Sequence, residues 1–125
     1  MLRPESTRNK GKKGEELARS YLKSKGFKIM DVNYCAYTGE IDIIARDQDT
    51  LVFVEVKSAA GTGFGDPLGW IPLWKQKRIL RTSQAYLASK KINDSPMRFD
   101  VITVDPEKRV CHVRDAFRAE GIFSV

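Results

Sequence analysis

The sequence has few of the residues on which several classes of protein depend. It contains two cysteines, Cys35 and Cys111, and one histidine, His112, in 125 residues. Two cysteines are too few for a disulfide scaffold and lack the spacing of a metal site, so they indicate a reducing cytosol, with a single bridge as the alternative. No apolar run approaches the roughly 20 residues of a membrane span, and the charged N-terminal segment lacks the apolar core of a signal peptide. We therefore expect a cytoplasmic protein with no membrane partner.

The same scarcity argues against enzymes that work through a nucleophilic side chain. There is no Ser/His/Asp set and no cysteine near the histidine, so covalent catalysis is not expected. Hydrophobic residues make up 42% of the chain and charged residues 30%, which is typical of a globular protein. We predict one domain over residues 1–125, with residues 1–9 as a flexible arm and His112 as a structural histidine.

Charge is present in excess of one sign and is unevenly distributed. Lys and Arg number 22 against 16 Asp and Glu, a formal net charge of +6. Between Ile29 and Trp74, however, seven acids and two bases give a net charge of −5, so the remainder of the chain carries +11. Basic flanks favour a polyanionic partner, whereas an acidic centre beside phosphates requires a divalent cation between them. The alternative is a solvated surface with randomly placed charge.

Hydrophobic periodicity and turn residues predict the order α-β-β-β-α-β-β, a three-layer α/β fold with helices covering a mixed central sheet. A glycine-rich loop is expected over Ser58–Gly69 because it contains four glycines and a proline. The tail from Asp115 to Val125 has no assigned structure. The predicted elements are helices from about Lys10 to Lys25 and Pro72 to Lys90, and strands at Phe27–Asn33, Glu40–Arg46, Leu51–Lys57, Arg98–Val104 and Val110–Arg114.

The second and third predicted strands form a hairpin whose register places acids opposite each other. If the turn pairs Asp47 with Thr50, Asp42 faces Glu55. The same register places Glu40 opposite Lys57. Alternation along the strands predicts three groups that each share a face: Glu40, Asp42 and Ile44; Ile41 and Ile43; and Phe53, Glu55 and Lys57. An odd loop or a bulge would break this register.

Two facing carboxylates in apolar strands indicate a metal site. Opposed like charges destabilise a hairpin and raise the pKa of one of them, and a divalent cation removes the conflict. Mg²⁺ typically takes one or two carboxylates plus water and substrate phosphate. Lys57, one side-chain step from Glu55, could neutralise developing charge or hold the attacking water. The alternative is a solvated polar face with Lys57 as a salt-bridge partner.

Both helices carry further candidate residues. Glu15 follows Gly14, whose missing side chain lets the helix approach another element, so Glu15 could reach the carboxylates; Glu16 is expected on the solvated face. The second helix begins with a dense basic turn beside Trp70 and Trp74, which suits phosphate contact with aromatic stacking, although each tryptophan could equally be core or rim. The predicted nucleic-acid-binding residues are Lys12, Lys13, Lys75, Lys77, Arg78 and Arg81.

Together these segments resemble the restriction-endonuclease-like nuclease superfamily, whose signature is P-D…(D/E)-x-K on a hairpin. More closely, the chain resembles the YraN-like family of small bacterial proteins, similar to Holliday-junction resolvases. Each matching segment is weak alone, but the set spans most of the chain. The segments are Gly11–Ala18 with Tyr21-Leu22, Gly39–Ala45, Phe53–Lys57, Phe64-Gly65 and Arg98–Val101.

The resemblance implies a Mg²⁺- or Mn²⁺-dependent endonuclease acting on DNA, with branched or structured DNA as a candidate substrate and a homodimer as a candidate state. It implies that Asp42 and Glu55 bind the metal with the Val56 carbonyl. Further roles follow for Glu15 as the helix-borne acid, Lys57 as the catalytic lysine and Gln76 as an auxiliary residue. Departures are Ile41 in place of the signature's proline and Ala59-Ala60 where relatives often carry an arginine. The alternatives are a catalytically silent nucleic-acid-binding module and a protein-interaction subunit.

Overall fold

The computed structural model describes residues 3–58 and 71–118, with the side chains of the first helix from Lys12 onward. The predicted glycine-rich loop, from residue 59 on, and the tail from residue 119 lie outside the described residues. The elements follow in the predicted order: α1 (Arg3–Ser24), β1 (Lys28–Ala36), β2 (Gly39–Asp47), β3 (Thr50–Ser58), α2 (Leu73–Ser89), β4 (Met97–Val104) and β5 (Val110–Phe117).

The five strands form one mixed sheet in the order β1-β2-β3-β4-β5. Strands β3 and β4 are parallel, whereas all other neighbours are antiparallel. A parallel pair needs a crossover connection, and α2 lies within it. Two separate hydrophobic clusters flank the sheet, one containing Ala18 and Leu22 of α1 and the other Ile79 and Leu80 of α2. The helices therefore cover different faces, and the predicted three-layer α/β fold is confirmed.

Helix α1 begins earlier than its apolar pattern predicts. It starts at Arg3, so residues 3–9 of the predicted flexible arm are helical. Pro4 permits this start because proline is tolerated in the first helical turn, where its missing N–H has no partner to lose. The predicted end is confirmed: Gly26 has φ 91°, and the Phe27 N–H donates to the Leu22 carbonyl at 3.0 Å. Neither helix in the described ranges is long and apolar enough to cross a membrane.

The β2–β3 hairpin has the predicted register over its regular part. Pairing runs from Asp47↔Thr50 to Ile43↔Val54, and Gln48 occupies the tight turn with φ 57°. The side chains of the three pairs farthest from the turn, and Leu51 in the next pair, are apolar and buried. The hairpin is therefore held by a dry core on both faces, which fixes its register against a one-residue slip.

The alternation predicted for β2 fails near its start. Ile41 packs in the cluster on the α2 side together with Ile44, whereas Ile43 packs on the α1 side, so the prediction that Ile41 and Ile43 share a face is wrong. The change occurs where the regular β2–β3 pairing ends, which frees the backbone from strict alternation. On β3 the predicted alternation is confirmed, because Phe53 packs on the α2 side and Val52 and Val54 on the other.

The two ends of the sheet carry the cysteines. Cys35 lies on β1 and Cys111 on β5, the opposite edge strands, and both are exposed free thiols, so the alternative of a bridge between them is wrong. Strand β5 runs three residues past its predicted end at Arg114, because Ala116 and Phe117 are buried in the α2-side cluster.

A buried polar network lies on β4 and β5. Asp100 is fully buried. Its Oδ1 accepts hydrogen bonds from Nε of Arg98 and from the Asp115 N–H, each at 3.0 Å, and its Oδ2 lies 2.7 Å from His112 Nε2. The other ring nitrogen of His112 lies 3.2 Å from the Tyr21 hydroxyl, so the predicted structural role of His112 is confirmed. Burial opposes ionisation of Asp100, but the hydrogen bonds from His112 and Arg98 outweigh it and hold its pKa below the ordinary value.

We expect Asp100→Ala to lower the free energy of unfolding by about 3–5 kcal/mol at pH 7, because Arg98 and His112 would lose their buried acceptor. Since the folded pKa of Asp100 is lowered, its contribution is present above its unfolded pKa and is lost as pH falls through the folded pKa. Urea denaturation between pH 7 and pH 3 measures both effects. Asp105→Ala, which removes a surface partner of Arg109, is the control and should cost far less. Equal losses for the two variants would contradict the role of Asp100.

Candidate functional site

The candidate site lies where β2 separates from β3. Beyond Ile43↔Val54 the regular pairing stops, and the Val56 N–H donates to Oδ2 of Asp42 at 2.8 Å. A side-chain carboxylate therefore takes a backbone donor of the neighbouring strand. This bond holds Asp42 between the two strands, close enough to Glu55 for the two charges to interact. The predicted pairs Asp42–Glu55 and Glu40–Lys57 lie beyond the regular β2–β3 ladder.

The electrostatic environment of Asp42 is unfavourable for its charge. Burial is the largest cause, followed by the negative charge of Glu55; together with the weaker effects of Glu15 and Glu40 they raise the pKa of Asp42 to about 8 from 3.8. The hydrogen bond from Val56 lowers the pKa but does not compensate. Three acids thus raise the pKa of a fourth, as expected of a site arranged for a cation or for proton transfer.

Glu55 lies against a lysine that the sequence assigned to another role. Its carboxylate is buried, with 8% of the residue exposed, and its Oε2 lies 2.6 Å from Nζ of Lys75. Lys75 is in the first turn of α2, and the sequence predicts it as a phosphate contact. In the structure its ammonium is instead the counter-charge of Glu55. Sequence reasoning missed this pair, because the two residues lie on elements joined by a long segment with no predictable path.

Glu15 reaches the site from the other face of the sheet. Gly14 is buried, and a Cβ added to it would lie 3.7 Å from Oγ of Ser58, so α1 and β3 approach closely here. Nδ2 of Asn33 donates to Oε1 of Glu15 at 3.0 Å, which orients the carboxylate. Asn33 was not predicted; its only sequence signal is a residue type that tolerates positive φ, and its φ is 48°.

Lys57 and Gln76 lie near these acids without contacting them. Lys57 is exposed on β3, two residues beyond Glu55, and forms no ion pair with any residue of the described ranges. Gln76 uses its side-chain amide to hold the entry to α2, donating to the Ile71 carbonyl at 2.8 Å. The basic residues lie along both helices: Lys12 and Lys13 are in the middle of α1, shortly before Glu15, and Lys77, Arg78 and Arg81 follow Lys75 in the first half of α2.

The carboxylates at the site are donors of the kind that bind Mg²⁺, the metal that the sequence predicts. Among the described residues, no group of three or more His, Cys, Asp or Glu side chains is close enough to bind a metal ion together. Two carboxylates are a set that suits Mg²⁺, which keeps waters and takes substrate phosphate oxygens as its other ligands. The raised pKa of Asp42 fits such an ion, since a divalent cation would relieve the repulsion from Glu55. Asp42 and Glu55 would hold it, with Glu15 close by.

The fold and site define a small α/β protein with an acidic pair, Asp42 and Glu55, where β2 separates from β3. The sequence profile described as "Uncharacterised protein family UPF0102" matches residues 14–104, most of the chain. A UPF0102 protein of Clostridioides difficile strain 630 is 43% identical over 113 residues, covering 90% of this chain and 99% of the relative. A UPF0102 protein of Alkaliphilus oremlandii is 47% identical over 109 residues, covering 83% and 93%. The chain belongs to the UPF0102 family.

We expect Asp42→Asn to change the pH dependence of stability. The folded pKa of Asp42 is raised, so its penalty is absent below its unfolded pKa of about 3.8, grows as pH rises and is complete above about 8. Asparagine keeps an oxygen that can accept the Val56 N–H but carries no charge. In EDTA, the variant should therefore gain stability relative to the parent between pH 5 and pH 9. Asp49→Asn at the exposed hairpin tip should not, and parallel pH profiles for Asp42→Asn and the parent would contradict the raised pKa.

We expect Lys75→Met to leave Glu55 buried without a counter-charge and to lower the free energy of unfolding by roughly 1–3 kcal/mol. If a divalent cation can take the position of the ammonium, millimolar Mg²⁺ should raise the melting temperature of this variant more than that of the parent. Lys77→Met, which removes an unpaired lysine from the same helix, is the matched control. Equal Mg²⁺ responses in the two variants would count against a cation at Glu55.

Proposed function

We propose that this protein is a metal-dependent endonuclease that hydrolyses phosphodiester bonds in DNA and belongs to the restriction-endonuclease-like superfamily. The observation that carries the proposal is the convergence of Asp42 and Glu55 at the split between β2 and β3, with Lys57 two residues further along the same strand. Placing the partly buried Asp42 beside the negative charge of Glu55 disfavours the ionised form of Asp42, so its position favours a functional explanation.

The proposed roles follow from the positions of the side chains. Asp42, Glu55 and the Val56 carbonyl hold Mg²⁺ or Mn²⁺, and Glu15 assists from α1. The ion supplies Lewis acidity and lowers the pKa of bound water. Lys57, exposed and free of ion pairs in the described ranges, orients the attacking water or neutralises charge on the phosphate. Gln76, next to Lys75, is the proposed auxiliary residue.

The substrate assignment rests on charge. Lys12 and Lys13 precede Glu15 on α1, and Lys77, Arg78 and Arg81 follow Lys75 on α2. These basic residues are proposed to contact phosphates. Branched or structured DNA and a homodimer with two such sites remain the finer proposals, drawn from the resemblance to junction resolvases. A reducing cytoplasm is the proposed location.

The second candidate is a nucleic-acid-binding module without catalysis. Two observations favour it: Lys75 already neutralises Glu55, and the described residues contain no group of three metal-binding side chains. In that case the basic residues of α1 and α2 would bind DNA, and Asp42 and Glu55 would have no catalytic role.

A cleavage assay separates the two candidates. Linear, nicked, single-stranded and four-way-junction DNA are incubated with Mg²⁺, Mn²⁺ or EDTA. We expect metal-dependent cutting, abolished by EDTA and by Glu55→Gln, and slowed about 10²- to 10³-fold by Lys57→Ala because one group that stabilises transition-state charge is removed. Asp49→Asn, an acid at the far end of the same hairpin, is the control and should cut like the parent.

The opposite results are equally specific. Full activity of Glu55→Gln or Lys57→Ala would show that the site is assigned to the wrong residues. Absence of cutting with either metal, alongside DNA affinity that falls by about 0.9 log units per log unit of salt for each phosphate contacted, would establish the binding module. Absence of DNA binding at low salt would exclude both candidates.

A further inference from the structure

Large aromatic and aliphatic side chains are exposed beside the start of α2. Trp74 is 60% exposed and Leu73 55%, while Tyr37, in the β1–β2 turn, is fully exposed. The turn and the helix are in contact, because the hydroxyl of Thr38 lies 2.9 Å from that of Thr82. Exposing a tryptophan forfeits the burial that its large apolar surface would otherwise gain. This patch is therefore not explained by folding stability.

Arg78 holds Trp74 in a defined arrangement. The guanidinium lies over the indole ring, 5.3 Å from its centroid, which is a cation–π contact. The stem of Arg78 passes over Gly39, where an added Cβ would lie 2.7 Å from the arginine Cδ and Cγ. Gly39, at φ 150°, thus provides the space that lets Arg78 lie across the end of β2 and against the tryptophan.

Helix α2 carries charge that opposes its own stability. Its 17 residues include no Asp or Glu, and its basic residues lie in the first half, where the helix macrodipole is already positive. The Pro72 N-cap makes no side-chain hydrogen bond to offset this. Of the basic residues Lys75, Lys77, Arg78 and Arg81, only Lys75 forms an ion pair within the described ranges. A surface that repels cations and displays an aromatic ring is complementary to a polyanion with planar groups.

We propose that Trp74, held by Arg78, is a stacking site for an unpaired nucleobase, so that the preferred substrate has a single-stranded segment beside the point of cleavage. The proposal rests on the proposed nuclease function and adds the substrate class. Stacking on an aromatic ring requires an exposed base face, which a continuous duplex does not offer. Trp74 is adjacent in the chain to Lys75, whose ammonium contacts Glu55, so the stacking site and the acidic site lie at the same end of α2.

The test measures binding without cleavage. Fluorescence anisotropy in EDTA compares a labelled 12-nucleotide oligo-dT with a blunt 12-base-pair duplex, for the parent and for Trp74→Ala, Trp74→Phe and Leu73→Ala. Leu73→Ala is the matched control, because Leu73 is the neighbouring exposed apolar residue and has no aromatic face. Circular dichroism melts establish that each variant is folded.

We expect Trp74→Ala to weaken oligo-dT binding roughly 5- to 150-fold, the range that corresponds to loss of one stacked base, and to leave duplex binding within about twofold. The dependence of binding on salt should not change, since no phosphate contact is removed. Trp74→Phe should restore most of the affinity, and Leu73→Ala should bind like the parent. In a Trp70→Phe background, oligo-dT should quench the remaining tryptophan fluorescence.

Three outcomes would overturn the proposal. They are equal losses on single strand and duplex, no loss for Trp74→Ala, and a loss for Leu73→Ala as large as that for Trp74→Ala, which would indicate an apolar docking surface for a protein. These outcomes are independent of catalysis. Metal-dependent cutting with unchanged Trp74→Ala binding would leave the nuclease function intact and remove only the stacking site. A selective loss of oligo-dT binding in Trp74→Ala, without metal-dependent cutting by the parent, would support the stacking site and contradict the nuclease function.

Discussion

The hydrogen bond from the Val56 N–H to Asp42 is the interaction on which the arrangement of the site depends. It occurs where regular pairing between β2 and β3 ends, so a carboxylate is held between two strands by a backbone donor. Held there, Asp42 cannot rotate into solvent to escape Glu55, and its charge must be suppressed or compensated. Two neighbouring features set the charge around Asp42. Lys75 pairs with Glu55, and the Glu15 carboxylate of α1 adds a further negative charge.

Two aspartates of the same sheet, one fully buried and one partly buried, show how surroundings set the pKa of a carboxylate. Asp100 is fully buried yet has a lowered pKa, because Arg98, His112 and a backbone N–H satisfy it. Asp42 has one backbone donor and acidic neighbours, and its pKa is raised to about 8. The first is a completed structural network that joins β4 to β5. The second has no cationic partner among the causes that set its pKa, and strongly perturbed groups of this kind are common at functional sites.

Sequence reasoning succeeded where a local rule governs the structure and failed where distant elements meet. Alternation and turn residues predicted the hairpin register, because one slip would expose its core. The predicted face of Ile41 is wrong, since side-chain alternation is strict only where β2 is regularly paired with β3. The Lys75–Glu55 pair depends on where α2 docks, and Asn33 acts on Glu15 across two elements; neither contact leaves a periodic signal. The first residues of α1 have no apolar periodicity, so the sequence does not predict that the helix begins at Arg3.

The parallel pairing of β3 with β4 also has a consequence for the order in which the site assembles. Strands β1, β2 and β3 are joined by short turns, so their contacts close with little loss of chain entropy, whereas β4 can pair only after the crossover containing α2 has formed. The contact between Lys75 and Glu55 is likewise long-range, since it forms only when α2 docks on the sheet. We therefore expect the acidic pair of the hairpin to form before Lys75 neutralises Glu55, so that this ion pair stabilises the completed sheet and not the hairpin alone.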